Sequence, residues 1–157
     1  MNSKTNTIAQ AGLIAAGYVA LTLISLLFGQ SPMVPVQLRL SEALCILPVF
    51  TSAAVPGLFV GCILANLLCG ASVLDVILGS IATLLGALGT RYLKNQGKLA
   101  FVPPIIANAI IVPFVLKVSY GISYGYLPMV FYIAISEFLS CFLLGLIIYK
   151  QAKKIWN

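Results

Sequence analysis

Apolar residues fill long, nearly unbroken runs along this chain, and the polar residues collect between them. The first run covers residues 8–28, long enough for a membrane-spanning helix. A segment with Pro32 and Pro35 follows over 29–40, and its last part alternates apolar and polar residues as an extended strand of chain does. Two shorter apolar runs, 41–52 and 55–70, carry Pro48 and Pro56. At ~1.5 Å rise per residue they reach only roughly 18 and 24 Å, short of a ~30 Å hydrocarbon core. They are either short crossing helices or a re-entrant hairpin, and in both cases the chain returns to the same side. The fourth run is 72–91 and the fifth is 99–118, with Pro103 and Pro104 in its first turns and Pro113 as a kink site. A Gly/Tyr-rich loop over 119–127 leads to the sixth, 127–149. The pattern predicts an all-α integral membrane protein, a single domain over 1–157 built as a bundle of six transmembrane helices.

Composition agrees: of 157 residues, 61% are hydrophobic and 8% charged, more apolar surface than a soluble domain of this size could cover. The first run is long enough to remain as a span, and no cleavable signal peptide is legible before it. The four cysteines, Cys45, Cys62, Cys69 and Cys141, lie in apolar runs without C-x-x-C spacing, and the chain has no histidine. Buried structural thiols are expected, with no metal and no cofactor. The net charge of +6 follows topology instead of nucleic-acid binding. With six crossings, seven cations (Lys4, Arg91, Lys94, Lys98, Lys150, Lys153, Lys154) fall on one side and two (Arg39, Lys117) on the other. The positive-inside rule then puts both termini in the cytoplasm and the 29–40 and 119–127 loops outside, where they could close over a solute.

Candidate chemistry is sparse. The three acids are Glu42, Asp75 and Glu137. Arg39 and Glu42, three residues apart, fit an interfacial ion pair on one helix face or part of a site, and Ser41 fits a helix N-cap. Ser72-x-x-Asp75 is a capping-box pattern, so Asp75 fits a helix cap or a ligand contact. Glu137 sits about ten residues into the sixth run, where an ionisable group is costly and functional by default. Its helix face carries Ile133, Ala134, Ser140, Cys141 and Gly145, so it should point into the bundle. An interhelical hydrogen bond is the plainer alternative. Asn66 and Asn108 add polar groups in apolar runs, and short Pro/Gly-interrupted spans point to binding sites in transporters. No nucleophile–base pair, paired-carboxylate site or phosphate loop is legible, so an enzyme is not expected. On the first helix, Ala11 and Ala15, and Gly12, Ala16 and Ala20, recur four apart, which allows close approach of another helix within the bundle or from a partner.

Four stretches carry a family resemblance, Leu47-Pro48-Val49-Phe50-Thr51 and the following three. Leu38-Arg39-Leu40-Ser41-Glu42-Ala43-Leu44, the run from Pro56-Gly57-Leu58 to Ala65-Asn66, and Asp75-Val76-Ile77-Leu78-Gly79-Ser80-Ile81-Ala82-Thr83-Leu84 resemble the QueT family, the substrate-binding S components of energy-coupling factor (ECF) transporters assigned to queuosine precursors. The resemblance covers essentially the whole chain. It implies a six-helix S component in a prokaryotic plasma membrane, associated with a transmembrane T component and two ATP-binding-cassette ATPases. It also implies docking through the Ala-x-x-x-Ala of Ala11 and Ala15. The solute would be a 7-deazaguanine such as preQ1, preQ0 or queuine, and the lining residues are expected among Arg39, Glu42, Asn66, Asp75, Asn108 and Glu137. A guanine-like edge offers two adjacent N–H donors that one carboxylate can accept together. The rival readings are an S component for another vitamin-like solute, an autonomous proton-coupled carrier using Glu137, and a membrane scaffold without a solute. Absence of an internal repeat weakens the carrier, and the buried Glu and Asn residues weaken the scaffold.

Overall fold

The computed structural model describes residues 3–29 and 38–156 and contains helices and turns but no strand among them. The α-helices are α1 (Ser3–Leu27), α2 (Ala54–Leu68), α3 (Ser80–Tyr92), α4 (Val102–Tyr120), α5 (Tyr126–Glu137) and α6 (Gly145–Trp156). Four tighter or wider segments complete the rods. A 3₁₀ helix, Leu40–Val49, stands alone. A π segment, Asp75–Gly79, runs into α3, and a 3₁₀ turn, Gly97–Phe101, runs into α4. A second π segment, Phe138–Leu144, joins α5 to α6. Three rods are long and apolar enough to cross a membrane, Lys4–Leu27, Gly97–Tyr120 and Tyr126–Ile155, while Leu40–Val49 and Ala54–Leu68 are apolar but shorter. The protein is a helical membrane protein.

The second predicted helix differs most from expectation. It is 3₁₀ and starts at Leu40, and Arg39 just before it has an extended backbone (φ −90°, ψ 117°). Arg39 and Glu42 therefore do not share a helix face. Ser41 is not the cap either: its hydroxyl accepts a hydrogen bond from Thr22 on α1 at 2.8 Å, and the Leu40 N–H donates to Ser25 Oγ at 2.9 Å. The first helix thus supplies from outside what a local cap would have supplied. At ~2.0 Å rise per residue the 3₁₀ winding also stretches this short segment to roughly 20 Å. Pro48 withholds one backbone N–H near its far end. There Arg91 donates to the carbonyls of Pro48 (3.0 Å) and Val49 (3.3 Å). The last rod runs beyond the predicted 149 to Trp156, because Ala152 is buried against Leu47 and Ala54.

The chain runs back and forth between two ends. At one end Thr51 bonds Gln10, Phe50 packs on Tyr149 at 5.2 Å and Arg91 meets the 3₁₀ helix. At the other, Leu40 meets Ser25 and Tyr120 meets Ser72. The 3₁₀ helix lies inside this arrangement, touching α1, α2, α3, α6 and the π segment after Glu137. Ser41, Glu42, Ala43, Cys45, Ile46, Leu47 and Pro48 are all buried.

α1 and α2 approach closely because glycines line the contact. A Cβ on Gly61 would come within 2.9 Å of the Tyr18 Cβ and 3.1 Å of the Ala15 Cα and carbonyl oxygen. A Cβ on Gly57 would meet the Ala11 carbonyl oxygen at 2.7 Å. Gly61→Val is expected to separate these helices at a cost of about 1–3 kcal/mol. A lowered thermal midpoint in detergent would register the change; an unaltered one would show that the contact is not tight.

Candidate functional site

The centre of the bundle holds polar groups that the apolar helices have no other use for. Glu42, on the 3₁₀ helix, is 2% exposed and accepts a hydrogen bond from the Tyr18 hydroxyl at 2.6 Å. Its second oxygen takes the Cys45 thiol at 3.1 Å and the Asn108 amide at 3.5 Å. Three helical rods therefore converge on one carboxylate. Asn108, on α4, also interacts with Glu137. Glu137 is the last residue of α5, 5% exposed, and its Oε2 has no hydrogen-bond partner. Ile133, Ser140 and Cys141 on the same face are buried too, so the face turns inward as its small residues predicted.

A second polar group continues toward the Tyr120 end. The Ser72 hydroxyl accepts from the Asp75 N–H at 3.1 Å, which is one arm of the capping box. The other arm is relayed: the Tyr120 hydroxyl accepts from the Ser72 N–H at 2.9 Å and donates to Asp75 Oδ2 at 2.6 Å. Ser72 is thus the cap, and Asp75 is a buried carboxylate held by Tyr120. Asn66 donates to the Asp75 carbonyl at 3.2 Å and lies 3.5 Å from Cys62 Sγ, where the Thr83 hydroxyl also points at 3.3 Å. Arg39 lies within electrostatic reach of Glu42, Asp75 and Glu137, so its charge faces both groups.

All six residues singled out as lining candidates, Arg39, Glu42, Asn66, Asp75, Asn108 and Glu137, are brought into this one belt. π segments begin at Asp75 and directly after Glu137. Such wide turns shift the following side chains and recur at functional sites. Tyr18, Cys45, Thr83 and Tyr120 belong to the belt as well and were not singled out. Tyr18 carried a signal: a lone phenol amid small aliphatic residues at mid-helix needs a polar partner when buried. Tyr120 stood among other loop tyrosines, and nothing local distinguished it.

Ala11 is half-buried and Ala15 is buried, both against α2 at the close contacts with Gly57 and Gly61. The neighbouring stripe of Gly12, Ala16 and Ala20 is exposed, and with Ala15, Leu64 and Leu68 it lines an apolar groove between α1 and α2. In the 29–40 loop, residues 30–37 lie outside the described residues. In the other loop, the Tyr126 hydroxyl ties back to the Ile110 carbonyl at 2.7 Å, in the turn before Pro113.

Chemically, the belt offers carboxylate acceptors, amide donors and one guanidinium inside an apolar shell. No curated protein and no solved structure matches the chain. One family model, described as QueT transporter, matches residues 8–154. With that match over nearly its whole length, the chain belongs to the QueT transporter family.

Proposed function

We propose that this protein is the solute-binding S component of an ECF transporter and that it captures a 7-deazaguanine queuosine precursor. The observation that carries the reading is Glu137: a carboxylate buried inside a membrane bundle with one oxygen unanswered by the protein. Such an atom is costly unless something else bonds it. The adjacent N–H donors of a guanine-like edge supply that partner, with Glu137 accepting them. Glu42, already held by three donors, orders the surroundings, and Asn108 stands between the two carboxylates. Arg39, Asp75 and Asn66 line the side toward Tyr120.

In this reading the whole chain is one membrane domain of six crossings in a prokaryotic plasma membrane. Both termini lie in the cytoplasm and the Tyr120 end faces outward. Energy comes from two ABC ATPases through a T component docked on α1, near Ala11 and Ala15. The segregation of Lys4, Arg91, Lys94, Lys98 and the C-terminal lysines supports the orientation. Thiol labelling from outside, in a variant lacking the native cysteines, is expected to modify a cysteine placed at Tyr124 and spare one at Lys94; the opposite pattern reverses the topology. Copurification tests the assembly: the tagged protein should bring down a T component and two ATPases. A chain that transports the solute alone in vesicles would instead be an autonomous carrier.

A further inference from the structure

Buried hydroxyls in this bundle are mostly answered by the rod that carries them. Thr22, Ser25, Thr83 and Ser136 each donate to the carbonyl four residues back, on Tyr18, Leu21, Gly79 and Tyr132, at 2.9, 2.9, 3.1 and 3.0 Å. Ser140 does not. It is 0% exposed, and its hydroxyl has no hydrogen-bond partner among the described residues. It lies inside the π segment Phe138–Leu144, where the wider winding changes which carbonyls a side chain can reach. Ser80, just after the other π segment, also lacks a hydrogen bond, but the Cys62 thiol stands beside it. Ser140 follows Glu137 by one turn, and Glu137 Oε2 is likewise without a partner among the described residues. Ile133, Glu137, Ser140 and Cys141 form one buried face, while Phe138, Leu139 and Leu143 of the same rod are exposed. Cys141 is within electrostatic reach of Glu137 and Glu42, so this face looks onto the carboxylate belt. One buried face therefore carries an acceptor oxygen and a hydroxyl, a turn apart, and no group of the bundle bonds either.

We infer that Ser140 is a specificity-determining contact of the solute site, its hydroxyl donating to a ring carbonyl of the solute beside the N–H groups that Glu137 accepts. This inference rests on the deazaguanine reading above and adds a residue to that site. A ring edge with N–H donors next to a carbonyl needs acceptors and a donor side by side, and a carboxylate supplies acceptors only. Glu137 therefore answers one part of such an edge and Ser140 the other. The two buried amides are turned elsewhere, Asn66 to the Asp75 carbonyl and Asn108 to Glu42. A buried hydroxyl without a partner costs stability in the solute-free protein, and a solute that bonds it recovers that cost. Deleting the hydroxyl should therefore have two effects that a structural hydroxyl does not combine. The solute-free protein stays as stable or becomes more so, and capture of the solute weakens.

The test compares the purified full-length parent with Ser140→Ala by equilibrium titration at neutral pH. The probes are 7-aminomethyl- and 7-cyano-7-deazaguanine and the thione analogue of each. A thione keeps both N–H donors of the edge and exchanges the carbonyl oxygen for sulfur, a weak acceptor. Ser140→Ala is expected to lose on the order of tenfold in affinity for the oxo compound that the parent binds, and less than about threefold for its thione. The thermal midpoint of the solute-free variant in detergent should equal or exceed that of the parent. Equal losses for oxo compound and thione, or an unchanged affinity for the oxo compound, overturn the inference while leaving the deazaguanine reading standing. So does a lowered midpoint, which would give the hydroxyl a partner within the protein. Failure of the folded parent to bind any of the four compounds overturns the inference and the deazaguanine reading together.

Discussion

Replacing Glu137 with glutamine is expected to weaken deazaguanine binding by roughly 30- to several-thousand-fold, corresponding to about 2–5 kcal/mol for a charge-assisted contact inside a buried site. Glutamine keeps the shape of the side chain but sets an amide donor against a ring donor, so the loss should nearly match that of Glu137→Ala. The other acids are already occupied: Asp75 accepts a hydrogen bond from the Tyr120 hydroxyl, and Glu42 bonds Tyr18, Cys45 and Asn108. Of the three acids, Glu137 alone retains a buried oxygen without a partner. Titration of the folded variant settles its role. An affinity within about threefold of the parent, far less than a buried charged contact would cost, would remove Glu137 from the site and leave Glu42 as the better candidate.

The second large effect concerns assembly. Bulky residues on the first helix should abolish the complex with the T component and ATPases, but the position decides what else is lost. Ala15 is buried against Gly61, so Ala15→Leu should also loosen α1 from α2 and lower the thermal midpoint. Gly12 is exposed, a Cβ added there would meet only open space, and Ala16 is exposed beside it. Gly12→Leu with Ala16→Leu should therefore eliminate copurification of the partners while solute binding and thermal midpoint stay at parental levels. Normal assembly of this double variant would place the dock on another face.

Much of this arrangement is legible in the order of the residues alone. The long apolar runs mark the first, fifth and sixth rods because a membrane protein has little freedom to place charges elsewhere. The inward turn of Glu137 follows from Ile133, Ser140 and Cys141 at helical spacing. What stays hidden depends on contacts between elements. Ser41 has the chemistry of a cap, yet Thr22 on another helix claims its hydroxyl. Ser72 and Asp75 form a cap pattern whose second arm is completed by a tyrosine from α4. Ala11 and Ala15 share a helix face, but helical spacing cannot say whether α2 or a partner covers it. The 3₁₀ helix Leu40–Val49 is tied to α1 at Leu40 and to Arg91 at Pro48, contacts between elements that its own residues do not encode.

The most direct test of the central claim is an equilibrium titration of the purified parent protein against a panel of 7-deazaguanines, guanine and unrelated vitamins. Saturable one-to-one binding of a 7-deazaguanine, with no binding of riboflavin, biotin or thiamine, is the predicted result. Saturable binding of one of those vitamins, with no deazaguanine bound by the same folded preparation, would contradict it.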